Sequence, residues 1–197
     1  LFACFRPVVL CNFLLAHFYI QGKITVQNMT DYLQASVIID WQTPEVLACA
    51  RELGRDCEND EAIARACFTF VRDSIHHSWD YRQNPVTCRA SDVLRWGTGY
   101  CYAKSHLLAA LLRANGVPAG LCYQRLTLTD KPPYCLHGLN AVYLQRYSWY
   151  RVDARGNKAP DNTDKCHADF CPPREQLAFP LVEAGEIARP PDRAHDR

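Results

Sequence analysis

The feature that most constrains this chain is a helix that begins directly after a glycine-rich turn. Downstream of Cys101, leucines recur at helical spacing until Asn115-Gly116, and Pro118 prevents the helix from continuing. Cys101 therefore lies in the first turn of a buried helix. Free backbone N–H groups and the positive end of the helix dipole favour a thiolate there, so this cysteine is a candidate nucleophile; an ordinary buried thiol is the alternative until further residues are considered. The leucines are Leu107, Leu108, Leu111 and Leu112.

Length and charge exclude several classes of partner. A chain of 197 residues is long enough for one well-buried domain. Its 22 Lys and Arg against 21 Asp and Glu leave a formal charge of +1, which favours neither a nucleic-acid partner nor an electrostatic membrane patch. The apolar stretch from Pro7 to Ile20 is too short to span a membrane. The oligomeric state stays open.

The cysteines indicate a reducing compartment. There are 11 of them, an odd number, scattered mostly through apolar segments, so we interpret them as reduced thiols of a cytoplasmic protein. The disulfide framework of a secreted protein is the alternative. Cys166, His167 and Cys171 cluster, but no second pair completes four zinc ligands. We therefore predict no metal site and no cofactor.

Three segments divide the chain. Residues 1–28 precede Met29, the only methionine, and we expect the native product to begin there, with the earlier residues as a non-native or upstream extension. Residues 29–187 are predicted to form one domain. Residues 188–197, rich in proline and charge, are expected to be a mobile tail.

Helix signals come first along the chain and strand signals come after. The β-branched run within 32–39 predicts an early strand or extended lead-in. The order of the other elements predicts an α+β domain in which the nucleophile helix packs on a small antiparallel sheet. The predicted helices cover about 43–53, 59–75, 91–97 and 101–115, and the strands 119–129, 138–145 and 149–152.

Two further residues complete a candidate constellation. A cysteine nucleophile needs a base, and the base needs a partner that orients it. His137 opens the first strand after a proline turn, and Asp153 closes the next strand, in Trp-Tyr-Arg-Val-Asp at 149–153. A hairpin that turns near 146–148 would make the two residues neighbours. Asp80 is the alternative partner for the histidine.

These motifs, taken together, resemble the transglutaminase-like core of the papain-like cysteine enzymes. The resemblance runs from about Phe68 to Asn157 and rests on Gly-x-Cys at 99–101, Leu-Leu-Arg-Ala-Asn-Gly-Val-Pro-Ala at 111–119, and the two segments around His137 and Asp153. It implies a Cys101, His137 and Asp153 triad. It also implies a thioester acyl-enzyme formed from an amide and passed to water or to an amine.

Differences from related enzymes make some activities of the superfamily less expected for this chain. The segment 153–157 resembles small microbial members of the superfamily. The chain has no room for the extra β-domains of the large animal transglutaminases and no acidic loop for their calcium, so protein crosslinking is the less expected outcome. The arginine-glycine-glycine lead-in of the arylamine acetyltransferases is absent, since Gly97-Thr98-Gly99-Tyr100 stands in its place.

An acyl-transfer site also needs donors for the developing oxyanion. The backbone N–H of Cys101 is the first candidate, and Trp79 or Gln83 in the upstream loop is the second, although both are equally well read as surface residues. His76, His77 and His106 are as readily solvated or satisfied in the core as functional. Lys104 is expected to face solvent.

The sequence is compatible with two functions, an enzyme and a binding domain. The first is a cysteine protease, amidase or acyltransferase that acts on a peptide or protein substrate. The alternative is a catalytically inactive papain-like domain that binds a peptide or a partner protein. Because all three triad residue types are present, the enzyme is favoured.

Overall fold

The computed structural model describes residues 29–127, 131–156 and 167–181, together with the backbone of 187–189. The predictions for residues 1–28 and for the end of the tail lie outside these ranges. Within the described ranges, no helix has the length and apolar character that crossing a membrane requires.

Helices form the first half of the described chain, and local sequence signals set their ends. Pro44 occupies the first turn of one helix, and the Asn59 side chain accepts a hydrogen bond from the Ala62 backbone N–H at 2.9 Å to start the next. Gly97 ends a third with a φ of 63°, which favours glycine. The elements are a 3₁₀ helix at Met29–Leu33, α1 (Pro44–Gly54), α2 (Asp60–Ser74), α3 (Ser78–Tyr81), α4 (Ala90–Trp96) and α5 (Cys101–Ala114).

The strands of the described chain are β1 (His76–His77), β2 (Thr98–Gly99), β3 (Ala119–Thr127), β4 (Tyr134–Leu144), β5 (Ser148–Val152), β6 (Asp169–Cys171), β7 (Arg174–Gln176) and β8 (Ile187–Arg189). The main sheet is antiparallel and four-stranded, with strand order β5-β4-β3-β8. A parallel pair, β1-β2, and an antiparallel pair, β6-β7, lie outside it. The predicted α+β class is therefore confirmed, with the nucleophile helix packed on β3 and β4.

Of the two forms predicted for 32–39, a strand or an extended lead-in, the strand is wrong. Residues 34–43 contain no strand, and the segment bends at 37–39. Its β-branched residues serve packing instead, since Ile39 is fully buried and the Ile38 carbonyl accepts the Ala90 backbone N–H at 2.9 Å, at the start of α4.

Helix α5 is the centre of the domain. It contacts α1, α2 and α4 as well as β3 and β4, so it is enclosed by helices and sheet together. Its four leucines are fully buried, and each contributes about 1.5–3 kcal/mol by leaving water. This packing holds the first turn of α5, and therefore Cys101, in a fixed place.

Candidate active site

Cys101 is the first residue of α5, where the backbone N–H groups have no partner within the helix. Strand β4 passes very close to this turn. A Cβ atom on Gly138 would lie 2.8 Å from the Tyr102 Cα, so only glycine permits the approach. As a result, the Gly138 N–H donates to the Cys101 Sγ at 3.4 Å.

The hairpin of β4 and β5 brings His137 and Asp153 together. The register pairs Asn140 with Val152, which places Asp153 diagonally across from His137 on the same face. The His137 Nε2 lies 2.7 Å from the Asp153 Oδ2. The Asp153 carboxylate is fully buried and also accepts the backbone N–H groups of Arg155 and Ala178, each at 3.1 Å.

These contacts shift the pKa values of Cys101, His137 and Asp153. Burial raises the pKa of the Cys101 thiol, but hydrogen bonds with His137 and His77 and the charge of His137 outweigh it and lower the pKa to about 6. Burial alone would lower the pKa of His137, yet the Asp153 carboxylate raises it to about 10. The same pairing keeps the pKa of Asp153 below its usual value despite burial. A thiolate and an imidazolium therefore face each other near neutral pH.

His77 also touches the sulfur, a contact that the sequence reasoning did not single out. Strand β1 pairs in parallel with β2, so that His77 stands opposite Gly99, two residues before Cys101. His77 is 8% exposed, and its side-chain contact with Cys101 is one of the interactions that lower the pKa of the thiol. Its Nδ1 atom lies 3.5 Å from the Asp80 Oδ2. The spacing of His77 and Asp80 in the sequence is the one signal that could have pointed to this pair.

Asp80 belongs to this second pair rather than to His137. Its carboxylate binds the Arg155 guanidinium, with Nη2 to Oδ2 at 2.9 Å. Because the backbone N–H of Arg155 donates to Asp153, this arginine connects the surroundings of both histidines.

The two predicted loop donors are placed differently from His77. The Trp79 side chain is 73% exposed. Gln83 is also exposed, and its backbone N–H is already donated to the Ser78 carbonyl at 3.0 Å. Unlike these two residues, His77 is buried, and its side chain contacts Cys101.

The prediction that Lys104 faces solvent is wrong. Its side chain is 1% exposed, and its ammonium group donates to the carbonyls of Ile75 and of Arg72, the latter at 3.4 Å. Burial and the nearby charge of Arg155 lower the pKa of Lys104 to about 7. The lysine binds the carbonyl end of α2, directly before the strand that carries His77.

The candidate metal ligands lie only partly within the described residues. Cys166 lies outside the described residues, and within the described part of the chain no group of three or more His, Cys, Asp or Glu side chains could hold a metal ion. The cysteines of that part, eight in number, are all free thiols.

Comparison with known proteins identifies one matching family and solved structures with a similar fold. The family model described as the transglutaminase-like superfamily matches residues 48–154. A protein from Cytophaga hutchinsonii, named provisionally as a cysteine protease, shares the fold with a TM-score of 0.53 and 20% identity over 65% of this chain and 42% of its own.

Two other solved structures are more distant. The periplasmic domain of TgpA from Pseudomonas aeruginosa is 21% identical over 65% of this chain and 48% of its own, with a TM-score of 0.49. Red sea bream transglutaminase is 12% identical over 71% of this chain and 27% of its own, with a TM-score of 0.42. This chain thus spans less than half the length of each of these proteins. No curated protein matches it.

Proposed function

Because the chain belongs to the transglutaminase-like superfamily, we propose that it is a cysteine enzyme that forms a thioester from a peptide or side-chain amide. One observation carries the proposal. The Cys101 thiol, at the start of a buried helix, faces an imidazole whose other nitrogen is bound by a fully buried aspartate. This is the arrangement that activates a sulfur nucleophile and fixes the orientation of its base.

The proposed chemistry begins with the thiolate of Cys101. Its sulfur attacks the amide carbon, a C–S bond forms, and the carbonyl electron pair moves to oxygen. When the carbonyl re-forms, the C–N bond breaks and the amine leaves with the proton of the His137 imidazolium. Asp153 keeps the ring oriented and stabilises its positive form. Water or a primary amine, deprotonated by His137, then attacks the thioester and releases Cys101 as the thiolate.

The backbone N–H of Cys101 is the first proposed donor to the oxyanion, and a contribution from Trp79 or Gln83 stays a prediction. We propose a peptide or protein as the substrate. We also propose a cytoplasmic location, since the free cysteines of the described residues suit a reducing compartment. Cell fractionation of the natural host tests the location, and recovery with periplasmic or secreted markers would contradict it.

The activity is tested with casein and a peptide library in the presence of a fluorescent primary amine, followed by mass spectrometry of the products. Incorporated amine identifies transamidation, whereas shorter peptides or deamidated glutamine identify hydrolysis. Either product must disappear in Cys101→Ala, which removes only the sulfur. Products that persist in this variant would contradict the proposal, and binding of peptides without turnover would favour the inactive binding domain.

A further inference from the structure

His77 is the second histidine at the Cys101 sulfur, and it has no role in the proposed triad of Cys101, His137 and Asp153. We infer that His77 is a catalytic residue, whose ring N–H binds the oxyanion formed when Cys101 attacks an acyl carbon. The inference rests on the proposed function, because it assigns a role in the same acyl transfer.

The first argument is placement. Strand β1 is held from several sides. It pairs with β2, its His76 carbonyl accepts the Thr98 hydroxyl at 3.3 Å, and the Ser78 and Thr98 hydroxyls share a hydrogen bond of 3.0 Å. The Lys104 ammonium binds the Ile75 carbonyl directly before the strand. A side chain on so well supported a strand is preorganised, which is what an oxyanion donor requires.

The second argument concerns the proton on the ring. A thiolate sulfur can only accept hydrogen bonds, so the His77 nitrogen beside it carries a hydrogen. The Nδ1 atom of His77 makes no hydrogen bond, although the Asp80 carboxylate lies 3.5 Å away. A ring whose other nitrogen directs its N–H at the sulfur satisfies both observations. The charge of Asp80 is meanwhile offset by Arg155.

The third argument is the division of roles between the two histidines. His137 is bound by Asp153, and its raised pKa makes it the group that holds and delivers the proton. His77 has no such tight carboxylate partner. When the sulfur attacks, negative charge moves from Sγ to the carbonyl oxygen of the substrate. The N–H of His77 then donates its hydrogen bond to that oxygen instead of to the sulfur. The proton stays on His77 throughout, so no further acid or base is needed.

The test compares two reactions of the same thiol. Acetylation of Cys101 by p-nitrophenyl acetate passes through an oxyanion and releases p-nitrophenolate. Alkylation by iodoacetamide displaces iodide and has no oxyanion. His77→Leu is expected to slow the acetylation of Cys101 by about 10²–10³-fold, the loss that follows removal of one oxyanion donor. Alkylation at pH 8 is expected to slow by less than about tenfold, because His137 still maintains the thiolate.

The chain offers a matched control in His76→Leu, because the His76 ring stacks on Tyr81 at 4.0 Å and its substitution leaves the thiol contacts in place. This variant is expected to acetylate like the wild type. His77→Gln, which restores an N–H donor, is expected to recover part of the acetylation rate and also serves if His77→Leu does not fold.

The outcomes separate the inference from the proposed function. Equal acetylation of the wild type, His77→Leu and His77→Gln would overturn the inference alone. Acetylation and alkylation that fall by the same factor would also overturn it, since His77 would then act only on thiolate formation. A wild type that acetylates no faster than Cys101→Ala would overturn both the inference and the proposed function.

Discussion

Two histidine and aspartate pairs lie near the Cys101 sulfur, and they differ in the distance between histidine and carboxylate. His137 and Asp153 meet at 2.7 Å, and the carboxylate is fully buried with two further backbone donors. His77 and Asp80 stand at 3.5 Å, and Asp80 shares its charge with Arg155. The comparison shows that two pairs of the same residue types differ in their electrostatic effect on the histidine. The tight buried pair raises the pKa of His137, whereas the loose pair leaves the His77 Nδ1 without a hydrogen bond.

The tight pair supplies the largest expected effect. Asp153→Asn removes the charge that stabilises the imidazolium and replaces one acceptor oxygen with an NH₂ donor, so the His137 ring loses control of its tautomer and acylation of Cys101 is expected to fall by about 10³–10⁴-fold. The measurement is the burst of p-nitrophenolate from p-nitrophenyl acetate. Full activity in this variant would move the orienting role to another acid.

Removing the tight histidine should change the pH dependence of the thiol. Alkylation of Cys101 by iodoacetamide is expected to rise with pH around a midpoint near 6, because the reactive form is the deprotonated one. In His137→Ala the midpoint moves toward about 8.5, so that the rate at pH 6 falls by about 10²-fold. An unchanged midpoint would show that His137 does not stabilise the thiolate.

Lys104 stabilises the backbone directly before the strand that carries His77. Lys104→Met keeps the length of the side chain but leaves the carbonyls of Ile75 and Arg72 without their donor. We expect the free energy of unfolding to fall by about 1–3 kcal/mol, measured by urea denaturation monitored by circular dichroism. Lys104→Arg, which restores a donor, is the control. Unchanged stability in Lys104→Met would mean that these hydrogen bonds contribute nothing net.

The smallest effect is expected at Asp80. Because its carboxylate makes no hydrogen bond to the His77 Nδ1 and its charge is shared with Arg155, Asp80→Asn should slow acylation by less than about tenfold. The same ester burst gives the rate, with Asp153→Asn assayed beside it. Equal losses in the two variants would remove the distinction between the tight and the loose pair.

Local patterns and hairpin geometry were enough to predict much of this arrangement. The leucine spacing and Gly116 fix α5 within one residue of its predicted end, and the hairpin predicts the contact of His137 with Asp153. The triad roles themselves stay a prediction. Both depend on short-range rules, which a sequence displays directly.

Long-range contacts explain what the sequence did not reveal. The position of His77 depends on a parallel pairing with residues near 98, about twenty positions further along the chain. Lys104 has the character of a surface residue, and its carbonyl partners at the end of α2, distant in the sequence, compensate for its burial. Neither relation leaves a periodic pattern in the sequence.

The most direct test of acyl transfer is to locate the acyl group itself. The protein is incubated with p-nitrophenyl acetate, quenched in acid during the burst, and analysed by peptide mapping with mass spectrometry. We expect one acetyl group per chain, as a thioester on Cys101, and none at this position in His137→Ala under the same conditions. Acetylation spread over several cysteines, or absent from Cys101, would contradict the proposed enzyme.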